Sequence, residues 1–315
     1  MNMTENFPAE NPAQYLQAIA DGWLPIREVA RQTGVNAVTL RAWERRYGLI
    51  VPHRTQKGHR LYDQSHVARI SHILTWIDRG VAVSQVGQLL ENREPPAVTD
   101  DSLWSEQRSR LQQALVRLNE AQLDDVFNNL LALYPVDTLL ERLLLPLTEM
   151  LQQRWQGQFG SHIERVFFQT WLRNKLGARI YHNNRQQHAQ RLLMVNLCER
   201  PMEPALWLTG WLLSSHEMPL DILDWPVPLS ELGLALDSIQ PRALVLFAGQ
   251  SLDARHLERQ LPRMASSSGI PLILSGPAAS IHAQELHDVP GLHAAYSPLD
   301  VLQQIHNLIK TGDMT

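Results

Sequence analysis

The chain has 315 residues, 44% of them hydrophobic, and a formal net charge of −4, which allows two or three domains with cores of their own. It contains one cysteine, Cys198, so an internal disulfide framework and a cysteine-rich zinc site are excluded. The sequence contains no run of eighteen apolar residues and no basic or apolar leader, so we expect a cytoplasmic protein without a membrane partner.

The charges are unevenly distributed along the chain. Residues 24–93 carry 11 Lys or Arg against 5 Asp or Glu, a net charge of +6, which leaves −10 for the remaining residues. A basic module joined to an acidic body indicates a polyanion contacted at one end, and nucleic acid fits this better than a membrane surface.

The first hundred residues contain the strongest local signals. Residues 1–22 are polar and aperiodic, which predicts a mobile leader. A helix of about eight residues from Pro25, a turn containing Gly34 and a second helix from Ala37 to about Tyr47 then form a predicted helix-turn-helix. On the second helix, the apolar side chains of Val38, Leu40 and Trp43 are expected to face inward.

A wing and a linker complete this predicted module. The segment LIVPHRTQKGHRLYDQ has turn chemistry between short β-prone flanks and predicts a two-stranded wing. A third helix is expected from about Asp63 or Ser65 to Arg79, followed by one short amphipathic helix. The winged-helix domain is therefore expected at residues 23–93, and the proline-rich residues 94–100 read as a linker.

The remainder of the chain predicts two further domains. Residues 101–186 are helical in period, with four Leu-rich stretches that favour a small four-helix bundle. In residues 190–312, short apolar runs alternate with helical patterns, which indicates an α/β doubly wound, flavodoxin-like domain with a parallel sheet. The five predicted strands lie in RLLMVNL, PLDILD, RALVLFA, IPLILS and LHAAY.

Two basic clusters point to the chemistry of the first module. Arginine pairs bidentately with guanine and also forks onto phosphate, and a threonine can bond a phosphate or meet a thymine methyl. A basic helix is often only a solvated face, but two basic elements that flank one short hydrophobic helix favour a DNA duplex. The helix supplies Thr39, Arg41, Arg45 and Arg46, and the wing supplies Arg54, Lys57, His59, Arg60 and Tyr62.

These residues carry a family resemblance. The unbroken segment from IREVARQTGVNAVTLRAWERRYGL to SQVGQLL closely resembles the winged-helix DNA-binding domain of MerR-type transcriptional regulators. The TLRAWERRYGL variant, with Trp43, is typical of the subgroup with a cobalamin-binding-like C-terminal half, which includes light-responsive repressors and MlrA-like regulators. The resemblance places Thr39, Arg41, Arg45, Arg46 and Tyr47 in the recognition helix and its end. It also implies a homodimer on a pseudo-palindromic operator, in the bacterial nucleoid, with RNA polymerase as a further candidate partner.

The resemblance raises the question of a cofactor. The light-responsive relatives hold adenosylcobalamin between the bundle and the doubly wound domain, and their bundle carries a Trp, nine intervening residues and then Glu-His. Here eight residues separate Trp155 from Glu164, one fewer than in those relatives, and Arg165 stands in place of the His. The first strand-to-helix loop of those relatives reads Glu-x-His-x-x-Gly, where the His is the lower axial ligand. Here the loop keeps Glu199 but has Pro201 in place of that His.

These departures argue against cobalamin. Proline has no side-chain donor for a metal, so we expect no cofactor and no metal site, and a body that binds an unidentified ligand near Trp155, Glu164 and Glu199, or a partner protein. A true cobalamin-dependent, light-responsive regulator is the alternative.

An enzyme on the sheet is disfavoured. The strand ends carry no phosphate loop or nucleophile elbow, and scattered acids such as Glu199, Glu203, Asp224 and Asp253 are usually solvated.

Overall fold

The computed structural model of the protein describes residues 19, 22–55, 57–91, 102–156, 160–199 and 202–312. The chain divides into two units, Met1–Leu151 and Gln152–Thr315. The predicted leader, apart from Ile19 and Gly22, and the predicted linker 94–100 lie outside the described residues. No helix within the described part of the chain is long and apolar enough to cross a membrane.

The first unit begins with the predicted helix-turn-helix. Helix α1 (Ile26–Thr33) ends at Gly34, whose φ of 72° is the left-handed conformation that glycine adopts without strain. The Asn36 side chain caps the next helix, α2, by accepting hydrogen bonds from two backbone N–H groups. Helix α2 comprises Ala37–Ala42 and a π-helical continuation, Trp43–Tyr47. Both helices match their predicted positions.

The predicted wing is also present. Strand β2 (His53–Arg54) pairs antiparallel with β3 (Arg60–Tyr62), as expected. Strand β3 pairs in addition with β1 (Leu24–Pro25), a strand that the sequence does not predict because two residues with a proline show no alternation. The wing is thereby joined to the segment that leads into α1.

Two further helices complete the winged-helix module. Helix α3 (Gln64–Asp78) opens with a capping box, in which the Asp63 carboxylate accepts from the His66 N–H at 3.0 Å and the His66 ring accepts from the Asp63 N–H. Helix α4 spans Val83–Glu91. Ile70, Ile73 and Ile77 of α3 are fully buried, as their stripe predicts.

Residues 102–185 form the four predicted helical stretches. They are α5 (Ser102–Val116), α6 (Glu120–Leu131), α7 (Val136–Leu139, continuing through Leu140–Leu144 to Leu145–Arg154) and α8 (Ser161–Arg185). The boundary between units, however, falls after Leu151 and not near residue 186.

Helix α8 belongs with the α/β unit because it packs on helix α9 (Pro204–Ser215). The approach is close at two glycines. A Cβ on Gly177 would lie 3.5 Å from the Trp207 ring, and one on Gly210 would lie 3.5 Å from the Cδ1 of Ile180.

The second unit contains the predicted doubly wound domain. Its five strands are β4 (Leu192–Asn196), β5 (Leu220–Leu223), β6 (Leu244–Phe247), β7 (Leu272–Ser275) and β8 (Leu292–Ala295). They form a parallel sheet in the order β5-β4-β6-β7-β8, which is the flavodoxin-like order 2-1-3-4-5. All five strand predictions are confirmed.

The remaining helices alternate with these strands. They are α10 (Leu232–Ile239), a π-helical turn (His256–Gln260) that leads into α11 (Leu261–Ser267), α12 (Pro277–Ile281), α13 (Ala283–His287) and α14 (Pro298–Gly312). The strand order reverses between β4 and β6, and folds of this class bind ligands in the crevice beyond the carboxyl ends of the strands at that point.

Candidate functional site

One stripe of helix α2 faces outward. Val38 is 60% exposed, Arg41 is half-buried, and Arg45 is exposed. Their i, i+3 and i+7 spacing places the three on one face of the helix, and Arg46 is exposed beside them. This outer stripe (Val38, Arg41, Arg45) presents one apolar side chain and two guanidinium groups.

The inner face of α2 differs from its prediction at two positions. Leu40 and Trp43 are fully buried, as predicted, but Val38 is exposed although it was expected to face inward. Thr39 is fully buried, which does not fit its predicted contact with DNA. The helix is rotated so that Thr39 is buried together with Leu40 and Trp43, and the few apolar residues of this segment do not define that rotation in the sequence.

The position of Tyr62 also differs from its prediction. Its side chain is fully buried, and its hydroxyl has no hydrogen-bond partner within the part of the chain that the structure describes. Burial, together with the nearby Glu44 carboxylate, raises the pKa of Tyr62 to about 12. The predicted hydroxyl donation to phosphate therefore does not fit, and Tyr62 supports the wing from its inner side. Tyr47, at the end of α2, is half-buried.

An ion-pair cluster that the sequence does not predict ties the wing to α2. Glu44 accepts hydrogen bonds from Arg54 Nη2 and Arg60 Nε, both at 2.5 Å. The side chains of Glu44 and Arg60 are 13% and 17% exposed. Burial alone raises the pKa of Glu44, but the hydrogen bonds from Arg60 and Arg54 outweigh it and lower the pKa. We call this group the Glu44 clamp (Glu44, Arg54, Arg60).

The clamp changes the roles expected for two wing arginines. Arg60 is directed at Glu44 and little exposed, so a direct phosphate contact from it does not fit this arrangement. The Arg54 side chain is 49% exposed, so part of it stays accessible. The only local signal for the clamp is that Glu44 is the single acid in TLRAWERRYGL, and nothing in that stretch identifies its partners.

The tip of the wing is ordered around a threonine. The backbone N–H of Thr55 donates to the carbonyl of His59 at 2.9 Å, and the Thr55 hydroxyl accepts from the His59 N–H at 3.1 Å. Gly58 has a φ of 79° in the turn. Lys57 and His59 are both exposed there, which is the placement expected for contacts with phosphate.

Hydrogen bonds join the winged-helix module to the helices that follow it in the same unit. The indole Nε1 of Trp43 donates to the carbonyl of Leu133 at 2.8 Å. The backbone N–H of Val83 donates to the Tyr134 hydroxyl at 3.5 Å, and Arg142 donates to the carbonyl of Asp78. The turn between α6 and α7 therefore contacts the buried side of the helix-turn-helix.

In the second unit, two of the predicted ligand-site residues meet. Glu164 accepts hydrogen bonds from Arg154 Nε and Nη2, at 3.1 and 3.2 Å, and from Trp155 Nε1 at 3.4 Å. The bonds from Arg154 lower the pKa of Glu164. The Nε of Arg165 is buried without an acceptor among the described residues. Glu199 lies on another element, exposed in the loop after β4.

Loops that follow neighbouring strands contact one another at the carboxyl edge of the sheet. The Sγ of Cys198, after β4, accepts from the Gly249 N–H, after β6, at 2.8 Å. At the end of β7, a Cβ on Gly276 would lie 2.9 Å from the Phe247 ring and 2.7 Å from the Ala248 carbonyl. The loops that follow β4, β6 and β7 therefore lie close to one another at this edge. Pro201 lies outside the described residues.

Of the four acids considered for an enzymatic site, two bond neighbouring groups. Asp224 bonds Arg173 Nε at 2.8 Å, and Asp253 accepts from the His256 backbone N–H at 2.8 Å. Glu199 is exposed and Glu203 is half-buried.

Comparisons with known proteins identify the family. The model described as "MerR HTH family regulatory protein" matches residues 24–93, and the one described as "B12 binding domain" matches residues 107–180. The HTH-type transcriptional regulator MlrA of Escherichia coli (strain K12) is 34% identical over 199 residues, which is 63% of this chain and 78% of that protein. The HTH-type transcriptional repressor CarH of Myxococcus xanthus is 26% identical over 278 residues, covering 82% of this chain and 90% of that protein. The chain belongs to the MerR-type transcriptional regulators, as a regulator and not an enzyme, with a B12-binding-type domain after its helix-turn-helix.

Proposed function

We propose that the protein acts as a homodimer on a pseudo-palindromic DNA operator. The observation that carries the proposal is the outer stripe of α2, which lies beside a wing held in place by the Glu44 clamp. In this proposal Arg41, Arg45 and Arg46 face the major groove and its edge, because guanidinium groups bond both guanine and phosphate. The wing tip and the exposed part of Arg54 bind phosphate oxygens.

The proposed two-fold symmetry follows from the short length of the recognition helix. One short recognition helix reaches only a few base pairs, and two helices related by a two-fold axis read a half-site each, about one helical turn apart. Such a dimer has an isologous interface. The proposed setting is the cytoplasm, on nucleoid DNA, with RNA polymerase as the expected partner at a promoter.

An in vitro selection with the full-length chain tests this proposal. Duplexes enriched from a random pool should contain an inverted repeat, and light scattering should find two protomers on each selected duplex. Enrichment of an unrepeated site that binds one protomer would refute the homodimer, and the absence of any enrichment would refute sequence-specific binding.

We infer further that the body has given up cobalamin and serves as a sensor of another ligand or as a partner-binding surface. Three observations support this inference. The chain has Pro201 where the lower axial His would stand. The loops after β4, β6 and β7 approach one another at the edge of the sheet, through the Cys198–Gly249 hydrogen bond and the close packing of Gly276 on Phe247. Glu164 is engaged by Arg154 and Trp155.

An absorption spectrum tests the inference. The purified protein is incubated with adenosylcobalamin in the dark and desalted, and we expect only the aromatic band to remain, because the chain offers no imidazole in that loop. Retention of about one cobalamin per chain would contradict the inference and support the alternative, a cobalamin-dependent, light-responsive regulator.

A further inference from the structure

The first residue of the outer stripe is apolar. Val38 lies in the first turn of α2 and is 60% exposed. A single exposed valine is common on protein surfaces and means little alone. Its position is informative, however, because it lies one turn before Arg41 and two turns before Arg45 on the same face.

The backbone of Val38 is held in place, and its side chain has few rotamers open to it. The Asn36 side chain accepts a hydrogen bond from the Val38 N–H at 2.9 Å, which fixes the start of the helix. A β-branched side chain in a helix strongly prefers one χ1 rotamer. The two methyl groups of Val38 are therefore presented in one direction with little freedom to lose on binding.

The major groove contains one apolar group that such a side chain can recognise. Among the base edges, only thymine carries a methyl group there, at C5, and apolar side chains contact it. In a helix-turn-helix, the N-terminal residues of the second helix are those that reach base edges. The neighbouring Thr39, which also carries a methyl group, is fully buried and cannot fill this role.

We propose that Val38 is a specificity-determining residue, which packs its methyl groups against the C5-methyl of one thymine in each operator half-site. The proposal rests on the proposed DNA-binding function and adds to it an apolar contact that basic residues cannot provide. It predicts that the operator has a required A·T pair beside the bases read by Arg41 and Arg45.

Replacement of thymine by deoxyuridine tests the contact, because it removes only the C5-methyl and keeps base pairing. The full-length protein is titrated with its selected duplex, in which each thymine is replaced in turn. One replacement in each half-site should weaken wild-type binding about five- to tenfold, the size expected for one apolar contact. Val38→Ala should bind the thymine duplex correspondingly more weakly and should not respond to that replacement.

The control is Val116→Ala, at another exposed valine. Val116 lies on α5 and is 47% exposed. The Val116→Ala protein should keep the wild-type response to deoxyuridine. If no replacement weakens wild-type binding, or if wild-type and Val38→Ala proteins respond alike at every thymine, the role of Val38 is refuted while DNA binding stands. If the wild-type protein binds no duplex sequence-specifically, both proposals fall.

Discussion

Glu44→Ala is expected to destabilise the protein by about 2 kcal/mol and to reduce its preference for the operator over unrelated DNA. Removing one partner of a fully buried ion pair costs more than this, but the clamp is partly exposed, with Arg54 49% exposed. The loss leaves Arg60 poorly solvated and without its carboxylate, and the wing is no longer tied to α2. Arg54, once released from Glu44, can offer its whole guanidinium to phosphate, so binding to unrelated DNA should strengthen and become more salt-dependent.

A matched ion pair provides the control for this result. Glu106 pairs with Arg110 on α5 at 2.6 Å, with both side chains more than half exposed, so Glu106→Ala should change the free energy of unfolding by less than about 0.5 kcal/mol. Denaturant unfolding of the full chain, and titrations with selected and scrambled duplexes, measure both effects. Equal stability losses in the two variants, or an unchanged operator preference in Glu44→Ala, would show that the clamp does not hold the wing.

Trp43→Ala is expected to cost about 3 to 5 kcal/mol, the usual effect of truncating a buried Trp. Trp43 is fully buried, and its indole also bonds the Leu133 carbonyl. Trp43→Phe retains most of the packing but leaves that carbonyl without its donor, which should cost about 1 kcal/mol. Because residues 107–180 match the B12-binding family model, this bond joins the helix-turn-helix directly to the B12-type domain.

The control for this experiment is Trp225→Ala. Trp225 is 65% exposed, so its truncation should leave stability nearly unchanged. Thermal melts of the full chain, followed by circular dichroism, rank the variants. A Trp43→Ala melt that coincides with the Trp225→Ala melt would refute the packing and the hydrogen bond assigned to Trp43.

Elements with a clear local period were predictable from the sequence. The helices around Ala37 and Gln64, the wing and all five parallel strands combine regular apolar spacing with turn residues at their ends, and both signals act over short distances. The strand β1 escaped prediction because two residues have no period. The packing of α8 on α9 escaped because it depends on contacts at Gly177 and Gly210 with side chains about 30 residues away in sequence.

The candidate site was predictable only in part, because some of its geometry depends on contacts between residues distant in sequence. Arg45, Lys57 and His59 are exposed where the basic pattern places them. In the sequence, however, only three apolar residues and one cap indicate the rotation of α2. The prediction therefore placed Val38 on the inner face and Thr39 on the outer face, whereas the structure has Val38 exposed and Thr39 buried. The partners of Glu44 lie 10 and 16 residues away, across a turn whose geometry decides whether they meet.

The most direct test of the central claim, that the outer stripe reads the operator, is the ratio of affinities for the selected and the scrambled duplex, measured for the wild-type protein and Arg45→Ala. We expect Arg45→Ala to lose about 1 to 3 kcal/mol of affinity for the selected duplex and much less for the scrambled one, so that the ratio falls. The exposed Arg110 on α5 provides the control Arg110→Ala, which should keep the wild-type ratio. A ratio that stays unchanged in Arg45→Ala, with equal losses on both duplexes, would contradict reading by the outer stripe and would reduce Arg45 to a phosphate contact.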